Sequence, residues 1–177
     1  MEYDDRNYIF VRSALYLVIF VLMHYLFHWF PYPFISLFSG IDESVYQHMK
    51  IAFYTYTIIT VIELILFRNK ITDTKKFIYS HLLSIILVPV ITLILFLMGA
   101  VVYDAERSKV VEIIYALTIT YLSGLTISVI EQELKEFEFS KRFKVLLFIL
   151  IVIMIIEFTV FTFNLPWHDV FADPYGP

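Results

Sequence analysis

The chain contains no cysteine among its 177 residues. This absence excludes disulfide bonds, thiolate metal ligands and cysteine nucleophiles. Charged residues make up only 17% of the chain and the formal net charge is −4, so the sequence has no basic stripe for nucleic acid. A Gly-rich phosphate loop, a GxSxG elbow and a dinucleotide fingerprint are also missing. Nucleic acid is therefore excluded as a partner class.

Apolar residues, by contrast, are abundant. They account for 60% of the chain and aromatic residues for 19%, and the mean hydropathy is +0.78. A soluble domain averages roughly half apolar and about a quarter charged residues. The composition therefore predicts that lipid, rather than water, surrounds most of this protein.

Five segments are long and apolar enough to cross a bilayer core of about 30 Å, which requires roughly 20 helical residues. They comprise residues 8–30, 45–67, 77–102, 109–130 and 143–163. The first is interpreted as a retained helix, because its apolar run is long and no small-residue cleavage pattern follows it. The predicted fold is an all-α, polytopic transmembrane bundle that forms a single domain over residues 1–177.

Lysine and arginine are distributed unevenly between the two sides of such a bundle. If the N-terminus is cytoplasmic, ten basic residues fall inside and three, namely Lys50, Arg107 and Lys109, fall outside. Short cytoplasmic loops of membrane proteins are enriched in lysine and arginine. The sequence thus predicts a multi-pass protein of the cell membrane with a cytoplasmic N-terminus and an external C-terminus.

The predicted spans differ in polarity. In the fourth, Thr120, Gly124 and Ser128 recur every four residues, a small-residue seam that permits close helix contact and predicts a central position. The fifth is almost wholly aliphatic and is predicted to be the most lipid-exposed. Pro89 in the third removes one backbone donor and is expected to kink that helix.

Ionisable residues within membrane spans are costly, so they are candidates for function. The outward-facing candidates are His24, Glu43, Ser44, His48 and Asp173. Imidazole and carboxylate are ligands that zinc accepts, so His24, His48 and Glu43 could hold a divalent metal. The sequence has no HExxH or HxH motif, however. A simpler alternative is that the acidic residues before the second helix only cap its N-terminus.

A second polar pair is expected at the cytoplasmic side. Glu63 lies near the inner end of the second span and His81 near the inner start of the third. They are predicted to pair across antiparallel neighbours, either as a structural contact or as a proton relay. Ser44, His48, Thr55 and Glu63 share one face of the second helix, but His48 and Glu63 are roughly 22 Å apart along its axis. The two polar groups are therefore separate sites.

Three motifs together resemble a family of small prokaryotic membrane proteins catalogued as domain of unknown function 6512. They are the stretch that begins with His24, the segment from Leu37 to Lys50, and the tail from Phe171 to Gly176. Asp42, Tyr46 and Gln47 depart from the family pattern, which has Asn, Trp and Glu there, and the tail is shortened after Pro174. The resemblance covers essentially the whole chain and implies that the functional positions are His24, Glu43, Ser44, His48, Glu63 and Asp173.

The sequence leaves three functions open. The protein could be an accessory or assembly subunit, a small-solute or ion-handling protein, or a metal-dependent membrane hydrolase. The lipid bilayer is the predicted partner in each case, with a homo-oligomer or a second membrane protein as a further expectation. The sequence identifies no certain cofactor, and a divalent metal such as zinc is the candidate.

Overall fold

The computed structural model describes residues 6–102, 108–134 and 136–173, and the regular secondary structure in these ranges is helical. Two of the basic residues that predict the orientation, Arg107 and Lys135, and residues 174–177 of the tail lie outside them. The α-helices are α1 (Arg6–Trp29), α2 (Pro33–Ser36), α3 (Val45–Leu66), α4 (Thr74–Val102), α5 (Lys109–Leu134) and α6 (Lys141–Phe163), and a 3₁₀ helix covers Asp169–Phe171.

Five of these helices, α1, α3, α4, α5 and α6, are long and apolar enough to cross a membrane. This confirms the prediction of a polytopic helical membrane protein. The boundaries shift slightly, because α4 begins before residue 77. The Asp73 carboxylate accepts hydrogen bonds from the amides of Lys75 and Lys76, at 2.9 and 3.0 Å, and so caps the first turn of α4. The same two bonds lower the pKa of this exposed carboxylate.

Four of the helices form a closed ring in the order α1, α3, α4, α5. The fifth long helix, α6, packs outside the ring against α4 and buries the smallest share of its surface. This agrees with the prediction that it is the most lipid-exposed span. The expectation that α5 is the central helix is wrong, because α3 buries the largest share. The 3₁₀ helix packs on the first turns of α3, where Phe171 and Tyr46 place their ring centroids 4.5 Å apart.

The small-residue seam of α5 does allow a close helix contact. A Cβ atom on Gly124 would lie 2.7 Å from Tyr16 Cδ1 of α1, so only glycine leaves room for this tyrosine. The tyrosine ring is buried and belongs to the main hydrophobic core. On α4, the helix continues through Pro89 without interruption.

The ring contains a polar cluster towards each end. One is built around Arg12 and the other around His24, and these residues lie about 18 Å apart along the axis of α1. We call the group of Arg12, Glu63, His81 and Glu131 the charge network. We call the group of His24, Glu43 and His48 the histidine–carboxylate site.

Candidate metal centre

The histidine–carboxylate site joins two helices and the loop between them. His24 lies on α1, His48 on the first turn of α3, and Glu43 in the preceding loop. Glu43 places one carboxylate oxygen 3.2 Å from His24 Nε2 and the other 3.7 Å from His48 Nε2. One ligand atom from each residue lies within 4.8 Å of those of the other two. The structure thus brings together the three residues that the sequence offered as metal ligands.

Backbone and side-chain hydrogen bonds fix the loop that carries Glu43. Ser44 is the N-cap of α3, and its hydroxyl accepts a hydrogen bond from the Gln47 amide at 3.3 Å. Asp42 lies two residues before Ser44, and its carboxylate accepts a hydrogen bond from the Ser44 amide at 2.8 Å. The alternative that the acidic residues cap the helix is thus wrong in detail, because the serine is the cap. Glu43 is left with its carboxylate directed at the two imidazoles.

A hydrogen bond fixes the orientation of the His48 ring and leaves its Nε2 available as a ligand. Its Nδ1 lies 2.8 Å from the Ser44 carbonyl oxygen, which can only accept, so Nδ1 carries the proton. In the neutral ring, Nε2 then presents a lone pair towards Glu43. The separation of 3.7 Å from Glu43 is too long for a hydrogen bond. A ligating histidine characteristically donates its other N–H to a backbone carbonyl, as His48 does here.

The hydroxyl group of Ser39 inserts into the backbone hydrogen-bond pattern of α1 next to His24. The Ser39 hydroxyl accepts from the Phe27 amide at 2.9 Å and donates to the Met23 carbonyl, two groups that would otherwise bond to each other. Gly40 follows directly, and a Cβ atom there would lie 3.7 Å from His24 Nδ1. That nitrogen is buried and has no hydrogen-bond partner among the described residues.

The electrostatics of the site favour a bound cation. The hydrogen bond with His24 lowers the pKa of Glu43, against the opposing effect of burial, so this carboxylate is ionised at neutral pH. Within the described ranges, no lysine or arginine forms an ion pair with Glu43. The Glu43 side chain is 46% exposed, whereas those of His24 and His48 are 15% and 14% exposed. The site is therefore open to water on the carboxylate side.

The spacing of the three residues is compatible with zinc ligands. Ligand atoms about 2.1 Å from a tetrahedral metal lie about 3.4 Å from one another. One ligand atom of each residue lies within 4.8 Å of the other two, and the two oxygens of Glu43 lie 3.2 Å from His24 Nε2 and 3.7 Å from His48 Nε2, respectively. Two imidazoles and one carboxylate leave one tetrahedral position for water or substrate, which is the arrangement of catalytic rather than structural zinc. These side chains could hold a divalent metal.

The other predicted outward-facing residues contribute differently. Ser44 is buried. Its hydroxyl caps the N-terminus of α3, and its carbonyl oxygen accepts a hydrogen bond from His48 Nδ1. Asp173 is half-buried just beyond the 3₁₀ helix and has an interaction partner, but it supplies no atom to the cluster of ligand atoms among the described residues. Its role in the site stays a prediction.

The charge network, at the other end of the ring, takes one residue from each ring helix. The predicted pair of Glu63 and His81 is present, with Oε2 and Nε2 3.0 Å apart. A carboxylate oxygen of Glu131, which belongs to α5, lies 3.2 Å from the same imidazole nitrogen. His81 Nδ1 is 2.8 Å from the Phe77 carbonyl oxygen. Both ring nitrogens therefore face acceptors, which is the arrangement of an imidazolium.

Arg12 completes this network and was not identified from the sequence as one of its members. Its two terminal nitrogens donate to the two carboxylate oxygens of Glu131, at 2.6 and 3.0 Å, and its Nε lies 2.8 Å from Glu63 Oε1. Tyr8 donates to Glu63 at 2.7 Å and Tyr56 to Glu131 at 2.8 Å. The network thus combines two basic and two acidic side chains, all of them buried.

A metal ion is less suited to the charge network than to the histidine–carboxylate site. Glu63, His81 and Glu131 also place ligand atoms within 4.8 Å of one another. However, Arg12 already supplies the positive charge and occupies oxygens of both carboxylates. The histidine–carboxylate site alone combines metal ligands with an open side and no internal cation among the described residues.

Comparison with known proteins gives one match. The model of a family described as a family of unknown function, DUF6512, matches residues 2–176. No curated protein and no solved structure matches the chain. The family match agrees with the resemblance drawn from the three sequence motifs.

Proposed function

Since this chain belongs to the DUF6512 family, a family of unknown function, we propose its function from the geometry of the site. The protein is a multi-pass membrane protein that binds a divalent transition metal, such as zinc, through His24, Glu43 and His48. It uses that metal to hydrolyse an ester or amide bond presented at the membrane surface.

One observation carries this proposal. One ligand atom from each of three residues lies within 4.8 Å of the other two, and the hydrogen bond of His48 Nδ1 to the Ser44 carbonyl leaves the Nε2 of that ring facing Glu43. A histidine that served only as a polar helix contact would need no such orientation towards a second imidazole and a carboxylate.

The chemistry follows from the open coordination position. A zinc ion held by three protein ligands lowers the pKa of a bound water to about 7, which generates a nucleophile at neutral pH. His24 and His48 would supply neutral nitrogen ligands, and Glu43 would supply charge compensation. The exposed edge of Glu43 is the side from which substrate can approach.

The location of the site supports a surface substrate. His24 and His48 lie within one turn or two of helix ends, and the uneven distribution of lysine and arginine predicts that this end is outside the cell. The exposed apolar side chains of the five long helices fit contact with the lipid bilayer. A homo-oligomer or a membrane-protein partner stays a prediction.

The direct test is zinc-dependent hydrolysis by purified protein in lipid vesicles. Zinc-loaded and chelator-treated protein would be assayed against a fluorogenic phospholipid ester and a fluorogenic peptide. We expect turnover of one probe by the loaded form only, and its loss in Glu43→Gln. Glu157→Gln is the matched control, because Glu157 lies at a similar depth on α6 with its side chain exposed.

The outcomes separate binding from catalysis. Zinc binding that Glu43→Gln abolishes, together with turnover, supports the whole proposal. Zinc binding without turnover of either probe contradicts the hydrolytic function and leaves a metal-binding protein. Equal turnover by the loaded and chelated forms contradicts the role of the metal.

A second candidate function is proton movement along the ring interior. The hydroxyls of Thr55, Ser84 and Ser123 are buried on three ring helices between the two clusters, and they have no hydrogen-bond partner in the described part of the chain. Most other helical threonines instead donate to their own backbone. Proton flux into vesicles that falls with Ser84→Ala would support this function, and absence of flux would exclude it.

A further inference from the structure

A third histidine, His28, lies one helical turn beyond the histidine–carboxylate site. It belongs to the last turn of α1, four residues after His24, and its side chain is exposed. At 100° per residue the two side chains are about 40° apart around the helix, and His28 lies about 6 Å closer to the end of α1. Within the described ranges, His28 takes part in no hydrogen bond, ion pair or ring contact.

His28 acts electrostatically on the carboxylate of the site. The hydrogen bond with His24 is the main cause that lowers the pKa of Glu43, burial opposes it, and the charges of His24, His48 and His28 lower it further. Two of these histidines belong to the proposed ligand set, whereas His28 supplies no atom to it. Because His28 and nearly half of the Glu43 side chain are exposed, His28 lies beside the open side of the site.

The proposed hydrolysis needs a group that can carry a proton at this side. The attacking water must lose a proton, and the leaving oxygen or nitrogen must gain one. Glu43 is assigned to the metal, and the Asp42 carboxylate already accepts a hydrogen bond from the Ser44 amide. Histidine changes its charge between about pH 5 and 8, so an imidazole can both accept and donate a proton near neutral pH.

We propose that His28 is the general base and general acid of this reaction. Its imidazole accepts a proton from the water as the water oxygen bonds to the carbonyl carbon. It then donates that proton to the leaving oxygen or nitrogen as the bond from this atom to the carbonyl carbon breaks, which releases a carboxylic acid and an alcohol or amine. The inference rests on the proposed function and adds a residue that metal binding itself does not require.

The position of His28 can be tested without catalysis. Co²⁺ is a paramagnetic ion that binds the same ligand types as zinc. One bound Co²⁺ per chain should shift or broaden the NMR signals of the His28 ring, assigned with His28→Gln, and should affect those of His81, at the other end of the bundle, much less. Bound Co²⁺ that leaves the His28 signals unchanged would overturn the inference. Absence of bound Co²⁺ would overturn the proposed function and the inference with it.

The role of His28 is tested by the kinetics of His28→Gln. This exposed substitution should leave zinc affinity unchanged and lower kcat for an alkyl ester about 100-fold or more, as loss of a general acid–base does. An ester with a nitrophenol leaving group, which departs without a proton, should lose much less activity. His168→Gln is the matched control, because His168 is also exposed and stacks on Trp167.

The contrary results differ for the two levels of the account. Weaker zinc binding by His28→Gln would identify His28 as a fourth ligand and overturn its proton-transfer role. Unchanged kcat, or equal losses for the two esters, would also overturn that role while the zinc-dependent hydrolysis stands. Absence of zinc-dependent turnover by the wild type would overturn the hydrolysis itself.

Discussion

The charge network and the histidine–carboxylate site are made from the same two residue types, histidine and glutamate, at opposite ends of one helix ring. The network has two glutamates and one histidine, and the site has two histidines and one glutamate. Only the network contains an arginine, and only the network is buried throughout. The site exposes nearly half of its carboxylate.

This difference shows what separates a structural cluster from a candidate for ligand binding. Arg12 balances the carboxylates of the network, and the two tyrosines donate to them, so its charges are satisfied within the protein. In the histidine–carboxylate site, no described lysine or arginine balances Glu43, and His48 leaves Nε2 facing it because Nδ1 makes the hydrogen bond to the Ser44 carbonyl. The network locks four helices together, whereas the site has charge and lone pairs to offer a metal.

The largest expected effect is on stability, from removal of the internal cation. Arg12→Met leaves Glu63 and Glu131 buried without their main counter-charge, which should cost about 3–5 kcal/mol of unfolding free energy. Urea or heat unfolding in detergent measures the change. Arg68→Met, at an exposed position of the same end, should change stability by less than about 0.5 kcal/mol. Equal effects of the two substitutions would contradict the structural role of the network.

The next effect concerns the metal and should leave stability nearly unchanged. His24→Ala removes one of three ligands and should weaken zinc binding on the order of 100-fold or more. Isothermal titration with zinc measures it, with unfolding followed in parallel. A variant that binds zinc as the wild type does would exclude His24 as a ligand.

Acidification should release the metal before it affects Glu43. Histidine changes its charge between about pH 5 and 8 and must be neutral to bind a metal. The lowered pKa of Glu43 means that this carboxylate stabilises the fold above its ordinary pKa and loses that effect only as the pH falls through the lowered value. Zinc affinity is therefore expected to fall about tenfold or more between about pH 7.5 and 5.5. Affinity that is constant over this range would argue against imidazole ligands.

The smallest expected effect comes from Gly40, which supports His24. A Cβ atom there would lie 3.0 Å from Ile51 Cδ1 and 3.7 Å from His24 Nδ1, so Gly40→Ala should displace the ring slightly. We expect zinc binding to weaken roughly severalfold, which is less than the loss of about 10–100-fold caused by removing a hydrogen-bond partner of a ligand, with an unchanged stoichiometry. A complete loss of zinc would mean that the loop, rather than the ring position, is what Gly40 controls.

Most of the fold could be predicted, because membrane-length apolar segments are a direct physical signal. It could not be predicted that α3, rather than α5, buries the largest share of its surface. Thr118, Thr120 and Ser128 of α5 donate to their own helix backbone, at 2.7, 2.8 and 2.6 Å, so their polarity does not indicate an interior polar site. The hydroxyl content of a helix therefore says little about which helix is central.

The proximity of the three candidate ligands and the pair of Glu63 and His81 could be predicted, because imidazole and carboxylate groups stand out within apolar segments. Arg12 was not, since near the start of the first span it reads as a cytoplasmic charge. Its one sequence signal is position, because Arg12 lies one helical turn before Tyr16 on α1, within about 40° of it. Tyr8 and Tyr56 have no signal that separates them from the many tyrosines at membrane interfaces.

The central claim is that the cluster without its own cation takes a metal and the cluster with one does not. Elemental analysis of purified protein, after equilibration with zinc and removal of the excess, tests it in three forms: wild type, His48→Ala and His81→Gln. We predict one zinc per chain in the wild type and in His81→Gln, and none in His48→Ala. A wild type without zinc, or zinc that persists in His48→Ala and disappears in His81→Gln, would contradict the account.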